Sequence, residues 1–593
     1  MLRKIFTFTA IAVLISGCDQ ADIDRINDAI AHWDLSHLHE LFPQDSQNQD
    51  GDVFDDADIK EPQQDIKQDT DVKTSDLLNP DDSDVEHPPV SHIYLIVYQD
   101  DLKQAAMNYA EYRRSSGFAV EAVSVSELVS GGLQHNSLVV PIHEKVSSLL
   151  RSIASVGDTF LLLIGDAPAK GEENAGKIPA VECTNDTIGQ TGCWTDNTYG
   201  DLDGDLVPDI AVGRIPATTV QQVEAYLTKV KAHESTYEVG EWNRRVSIYT
   251  GEANFDPTID ELLEYAMFAG LKEVSHDFDI IGAYDNVNSK YYYTPFEDKV
   301  IDLFNQGNLM TIYVGHGSEE WTQGLTADQI EQISCDHREA IVFFFACYAG
   351  NYTKATNSLA ETLVWHTRGA VATIGSTDVS HPYGNAVLAY EVPKAALDGR
   401  APTIGEVLMR AKQQMVENQH DDFRQFMAAA AEVALPEMDD YTPLSTIEFQ
   451  HCNLYNLMGD PALKMNYPPA QIWLPKPVEY STHGQISFVG DTPEIDSGTA
   501  FVTVEVERDF WVGDLVEPEN DQDIRDNWAV ANNKVMASTT VPIVDGKFTA
   551  QLQWDHEKIK GARWIKVYVT DKMGSLPATV DGNKSTSVRF VAQ

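Results

Sequence analysis

Two residues carry the reactive chemistry of this chain: Cys347 and His316, each standing where an apolar run stops. The first run reads Met310-Thr311-Ile312-Tyr313-Val314-Gly315-His316-Gly317, and the second reads Ala340-Ile341-Val342-Phe343-Phe344-Phe345-Ala346-Cys347. A thiolate is a strong nucleophile, and an imidazolium beside it favours that charged form. The imidazole can then hand its proton to a departing amine. Glycines flank the histidine and permit close backbone approach. The amides of Gly317 and Cys347 are therefore candidates for an oxyanion hole. Taken singly, a cysteine at a strand end is ordinary core and a histidine in a glycine loop is ordinary surface. The matching settings couple them.

Bringing the pair together is a task for the surrounding elements. Thr326 to Ser334 has helix-forming character, so the unit reads strand, helix, strand over about 30 residues. Such a crossover makes two parallel strands that end on the same edge of a sheet, where open α/β sheets place their sites. The same alternation runs through the preceding sequence. Continuous apolar strands occur at Ile93 to Val97, Phe118 to Val125, Phe160 to Ile164, Asp209 to Gly213 and Arg245 to Tyr249. Helical patterns at Leu102 to Arg113 and Val220 to His233 separate some of them. A further strand at Ala370 to Gly375 and helices at Ser358 to Thr367 and Pro402 to Gln419 complete the pattern. Strands that are apolar throughout belong to a parallel sheet covered on both faces.

Prolines 468, 469, 475 and 477 mark a linker. Beyond it, alternating stretches such as Phe501 to Val506 and Trp564 to Val569, with almost no helical period, predict a β-sandwich. The expected organisation is a signal peptide over 1–18, an acidic linker over 19–90, α/β subdomains over 91–240 and 241–468, and the β-sandwich over 469–593.

With 593 residues, a net charge of -50 and no basic stripe, the chain offers nothing to nucleic acid. Residues 19–90 carry 21 Asp and Glu against four Lys and Arg, a composition that stays extended and solvated. Arg3 and Lys4 precede an apolar stretch from Ile5 to Ile15, too short to span a bilayer, which reads as a signal peptide. Its ending, Ile15-Ser16-Gly17-Cys18, resembles the bacterial lipobox, so Cys18 is the expected lipidation site. The rest would then lie in the bacterial cell envelope, held to a membrane but outside the cytoplasm. Five further cysteines remain, and an odd number in an exported chain points to a free thiol. Cys183 and Cys193, ten residues apart, could form a disulfide.

Tyr313-Val314-Gly315-His316-Gly317-Ser318-Glu319, followed by Phe345-Ala346-Cys347, resembles the gingipain family of cysteine peptidases within the caspase-like fold group. Other segments match in order: Thr195 to Tyr199, Asp209 to Arg214, Thr250-Gly251-Glu252, Gly375-Ser376-Thr377 and Met458-Gly459-Asp460-Pro461. The resemblance covers roughly 92–466. It implies a caspase-like α/β catalytic region in two subdomains, an immunoglobulin-like module after it, and amide hydrolysis through an acyl-enzyme with no redox cofactor. Glu252 carries over as the orienter of His316, a role suited to a carboxylate that fixes an imidazole tautomer. A preference for Arg or Lys before the cut would need a buried acid. Asp260 and Glu261 follow Glu252 at the family's spacing, Asp378 is the alternative, and Tyr383 is a candidate wall of the same pocket.

Asp201, Asp203, Asp205 and Asp209 alternate as calcium loops do, although Val212 stands where an EF-hand requires glutamate. Structural calcium follows from the resemblance; the bland reading is an acidic turn before a strand. His381, His420 and His451 lack zinc-ligand spacing. The expected partners are protein or peptide substrates and a membrane reached through the N-terminal lipid. Two competing readings keep the same fold: a sortase-like transpeptidase, and a binding or adhesion protein without catalysis.

Overall fold

A computed structural model describes residues 91–591 except 131–132, 135, 153–155, 170–175, 187–192, 236–238, 252–270, 272–273, 336, 419–420, 422, 426, 429–430, 432–441, 470–471, 475–483, 555–561 and 573–582. The signal peptide, Cys18, the acidic linker and three site candidates (Glu252, Asp260 and Glu261) lie outside the described residues.

Ten strands build one sheet. In chain order they are β1 (Ser91–Tyr98), β2 (Ala119–Ser124), β3 (Val156–Ile164), β4 (Ala211–Ile215), β5 (Arg245–Thr250), β6 (Asp279–Tyr284), β7 (Met310–Val314), β8 (Ile341–Phe345), β9 (Ala372–Ser376) and β10 (Tyr455–Met458). Across the sheet they run β2-β1-β3-β4-β10-β9-β8-β7-β5-β6. All neighbours are parallel except β9 and β10. Burial explains the apolar runs. Tyr94, Ile96, Phe160 and Leu162 enter one core cluster, while Leu95, Val97, Leu161 and Leu163 enter another. Successive side chains point to opposite faces, so both faces must be covered, as in an α/β fold.

The sheet passes without a break across the 240–241 boundary. Its joint is β10, which pairs with β4 through Met458 and Arg214. A buried polar cluster locks that joint. Asp460 accepts hydrogen bonds from Tyr94 Oη at 2.7 Å, Tyr109 Oη at 2.5 Å and Arg113 Nε at 2.8 Å. Arg113 also pairs with Glu234 at 3.0 Å. The Asp460 carboxylate thereby ties the end of β10 to β1 and to helix Lys103–Ser115, and its charges are paired as buried charges must be. The motif Met458-Gly459-Asp460-Pro461 thus has a structural use.

Three expectations need correction. The crossover between β7 and β8 holds a short hairpin and a 3-10 helix, Ala327–Gln332, instead of a full α-helix. The C-terminal region pairs as one curled antiparallel sheet, not as two facing immunoglobulin-like sheets. Its strands are β11 (Gln485–Asp491), β12 (Ser497–Val506), β13 (Val535–Val544), β14 (Lys547–Gln553), β15 (Ala562–Thr570) and β16 (Asn583–Val591), in the order β11-β14-β13-β12-β15-β16. One face closes on its own core of Phe488, Val502, Val504, Phe548 and Ile565.

A helix, Asp521–Asn532, interrupts this sheet, against the expected absence of helical pattern. It docks on β6, the outer strand of the large sheet. Asn532 Oδ1 accepts from Gly282 N at 2.8 Å, its Nδ2 donates to Gly282 O at 3.0 Å, and Trp528 Nε1 donates to the same oxygen at 2.9 Å. Arg508 donates to the carbonyls of Leu271, Ser275 and Phe278 in the loop before β6.

Candidate active site

β7 and β8 are direct neighbours, with Val314 opposite Phe345. Val314 also pairs with Thr250 on its other side, so Thr250, Val314 and Phe345 form one rung across three strands. His316 and Cys347 each come two residues after that rung, at the carboxyl edge of the sheet. Gly315 N donates to Phe345 O at 3.3 Å, which extends the ladder towards the two side chains.

Packing between the two loops is tight. A Cβ added at Gly317 would lie 2.8 Å from Ala346 Cβ and 3.2 Å from Cys347 O, so only glycine lets the histidine loop rest on the cysteine loop. Tyr313 fixes the histidine loop from below: its hydroxyl donates to His316 O at 2.6 Å and accepts from Gln323 N at 3.3 Å. His316 itself is exposed, whereas Cys347 is half-buried.

Cys347 is held from the β9 side. Tyr348, the next residue, has φ of 59°, a left-handed conformation that non-glycine residues adopt at a cost and that clusters at functional turns. Its N–H donates to Asp378 O at 3.1 Å, and Gly350 N donates to Ser376 O at 2.9 Å. The Cys347 sulfur meets Ser380, whose N–H lies 3.4 Å away and whose hydroxyl lies 3.8 Å away. Nothing in the sequence singled out Ser380. Its approach to the sulfur arises only once β9 lies beside β8.

Asp378 is buried at 8% exposure. Asn185 Nδ2 donates to its carboxylate at 3.3 Å. Partial burial, together with the charge of Asp378, pushes the Tyr348 hydroxyl up to about 12. Tyr383 points inward. Its hydroxyl donates to Glu448 at 2.7 Å, and Glu448 also receives Arg424 at 2.7 Å. Burial and the Glu448 carboxylate raise the Tyr383 hydroxyl, so it stays protonated. His381, between them, is lowered to about 4 by burial and is neutral at pH 7.

Away from the pair, Asp201, Asp203 and Asp209 each bring a carboxylate oxygen within 4.8 Å of the others. Hard cations take oxygen ligands, so these three fit calcium. Asp205 falls outside that cluster, and its carboxylate accepts from Val207 N at 2.8 Å. The Cys183–Cys193 disulfide is formed, across a two-stranded hairpin in which the two residues are paired. Thr377 Oγ1, at the end of β9, donates to Trp194 O in that hairpin at 2.6 Å. The remaining described cysteines, Cys335 and Cys452, are buried, and burial raises each thiol to about 12. Cys347 is the described free thiol that a reactant can reach.

Comparison with known proteins bears on this arrangement. The model of peptidase family C25 matches residues 87–466. Lys-gingipain of Porphyromonas gingivalis is 24% identical over 307 residues, which cover 51% of this chain and 16% of that protein. Gingipain R2 of the same species is 22% identical over 350 residues, covering 55% of this chain and 42% of that protein. The chain thus spans less than half the length of either relative. Among solved structures, the Arg specific cysteine proteinase gingipain R aligns at 16% identity with a TM-score of 0.47, covering 85% of this chain and 100% of that one.

Proposed function

Since the chain belongs to peptidase family C25, we propose that it is a cysteine endopeptidase in which Cys347 forms the acyl-enzyme and His316 serves as general acid and base. The rung Thr250, Val314, Phe345 is the observation that carries this reading. Three strands leave it side by side, and His316, Cys347 and, by chain count, Glu252 all follow it by two residues. Glu252 is accordingly the residue to orient His316, as a carboxylate does for an imidazole.

In the proposed reaction the Cys347 sulfur attacks the scissile carbonyl carbon. The carbonyl oxygen takes the negative charge, and the N–H groups of Gly317 and Cys347 meet it. The C–N bond breaks as His316 gives its proton to the amine. Water then attacks the thioester, with His316 taking the water's proton and Cys347 leaving as thiolate.

Protein or peptide substrates in the bacterial envelope fit the rest of the reading, with Cys18 as the lipid attachment point. For a preference for Arg or Lys before the cut, the candidate acids are Asp260, Glu261 and Asp378, with Tyr383 as a neighbouring wall. A carboxylate shielded from water attracts a cation strongly. Structural calcium at Asp201, Asp203 and Asp209 completes the proposal. Its test is the melting midpoint with and without a chelator, compared with Asp203→Ala.

A peptide-library digest with mass-spectrometric product analysis tests the function directly. Wild type should cut after a restricted class of residue, and Cys347→Ala should not cut. Absence of any cleavage, together with failure of a thiol-directed acyloxymethyl ketone to label wild type, would overturn it.

A further inference from the structure

The sulfur of Cys347 is gripped by a residue that no part of the peptidase chemistry requires. Three hydrogen bonds join it to Ser380. The thiol can donate to Ser380 O at 3.8 Å, and the sulfur can accept from Ser380 N at 3.4 Å and from Ser380 Oγ at 3.8 Å. The same residue therefore serves both protonation states. Its carbonyl takes the S–H proton of the neutral thiol, and its N–H and O–H point to the negative charge of the thiolate. Donors to a charged acceptor stabilise the charged form.

Ser380 is not free to turn away. It is 4% exposed, and its hydroxyl oxygen accepts a hydrogen bond from Asn385 Nδ2 at 2.9 Å. Asn385 is in turn held by Tyr455, whose hydroxyl donates to Asn385 Oδ1 at 2.5 Å. Tyr455 is fully buried, and burial raises its hydroxyl, so it remains a donor at any ordinary pH. With its oxygen accepting from Asn385, the Ser380 hydroxyl can send its proton towards the sulfur, with the Tyr455 hydroxyl oxygen as the other acceptor beside it.

We propose that Ser380, set in place by Asn385 and Tyr455, is a positioning residue that stabilises and aims the Cys347 thiolate from the side of β9. The inference rests on reading Cys347 as the nucleophile, but it does not need substrate. It predicts a thiolate that persists when the imidazole of His316 is removed.

Iodoacetamide alkylation of the full chain, followed at the Cys347 peptide by mass spectrometry, reads this without any cleavage assay. Ser380→Ala should slow alkylation at neutral pH by roughly 5- to 10-fold, the worth of one hydrogen bond, because the backbone N–H remains. Ser380→Thr, which keeps the hydroxyl, should stay near wild type. Asn385→Ala should slow it in the same direction, which keeps the test usable should Ser380→Ala fold poorly. In a His316→Ala background, Ser380→Ala should still lower both the rate and the ultraviolet thiolate absorbance. Wild-type alkylation in a folded Ser380→Ala protein would overturn the proposal, as would Ser380→Thr falling as far as Ser380→Ala. A chain that shows the Ser380 dependence but cleaves no peptide would leave this inference standing and remove the peptidase reading instead.

Discussion

Gly317→Ala is the most economical way to test whether the two loops must touch. The added methyl would sit 2.8 Å from Ala346 Cβ and 3.2 Å from Cys347 O. Ordinary carbon contacts begin at about 3.5 Å, so about 0.7 Å has to be made up. Ala346 is fully buried at the end of β8, and Cys347 is fixed on its far side by the turn at Tyr348. The exposed loop that carries His316 is the part that can yield. The substitution keeps the Gly317 N–H, so it leaves the oxyanion donors chemically intact and alters where the imidazole and that N–H stand. A misplacement of about 1 Å costs about 100-fold in rate, and the expected loss in kcat/KM is accordingly roughly 10- to 100-fold. Overpacking should cost about 1–3 kcal/mol of stability. Ala346→Gly removes the opposing methyl, and the double variant should recover most of the rate, although the contact with Cys347 O persists. Turnover would be measured beside the melting midpoint. Wild-type turnover in Gly317→Ala refutes the reasoning, and so does a folded double variant that recovers nothing.

Further expectations concern other parts of the chain. Cys347→Ala should remove all turnover while leaving the melting midpoint within about 1 kcal/mol of wild type, since the residue is only half-buried. Glu361, in helix Leu359–Trp365, is raised to about 7 because burial outweighs the two hydrogen bonds from Ser358. Folded protein then holds a proton that unfolded protein has released above pH 4.5, so stability should fall as pH rises from about 4.5 to 7 and level off beyond. Glu361→Gln keeps an acceptor for Ser358 and should flatten that slope, as denaturation at a series of pH values would reveal. Removing the disulfide with Cys183→Ser and Cys193→Ser should cost about 2–3 kcal/mol of stability for a loop of this length, read as a lowered melting midpoint. Asn532→Ala should cost about 1–3 kcal/mol through the unpaired Gly282 amide, the carbonyl keeping its bond from Trp528, and hydrogen exchange at Gly282 should quicken.

What could be read from the sequence depended on how locally each feature is encoded. The strands under Cys347 and His316 are continuous apolar runs because both faces of the sheet are covered, and Ile341 to Phe345 are all buried. β10 has only four residues and gains its place by pairing with β4, far away in the chain, so no local pattern announces it. The helix Asp521–Asn532 did leave a trace. Asn520 caps it, acids fill its first turn, and Ile524, Trp528 and Ala531 repeat at helical spacing. Two alternating strand patterns around it concealed the signal. The placement of Cys347 and His316 just beyond neighbouring parallel strands was legible because a crossover dictates parallel strands, whereas Ser380 was not, since its link to the sulfur is made across strands. The bond from the Tyr383 hydroxyl to Glu448 was equally hidden, because its partner lies 65 residues further along the chain.

The side-chain amide of Asn532 offers Gly282 one donor and one acceptor, as a neighbouring peptide group would. It imitates the first rung of an eleventh strand and then stops, because a side chain cannot propagate a ladder. Cutting the protein at residue 466, where the family match ends, would strip that false rung away. The bare margin of β6 would then be open to any passing strand, so the truncated protein should clump even with Cys347 and His316 in place. A margin guarded by a borrowed amide makes residues 467–593 a seal on the sheet as much as an appendage to it.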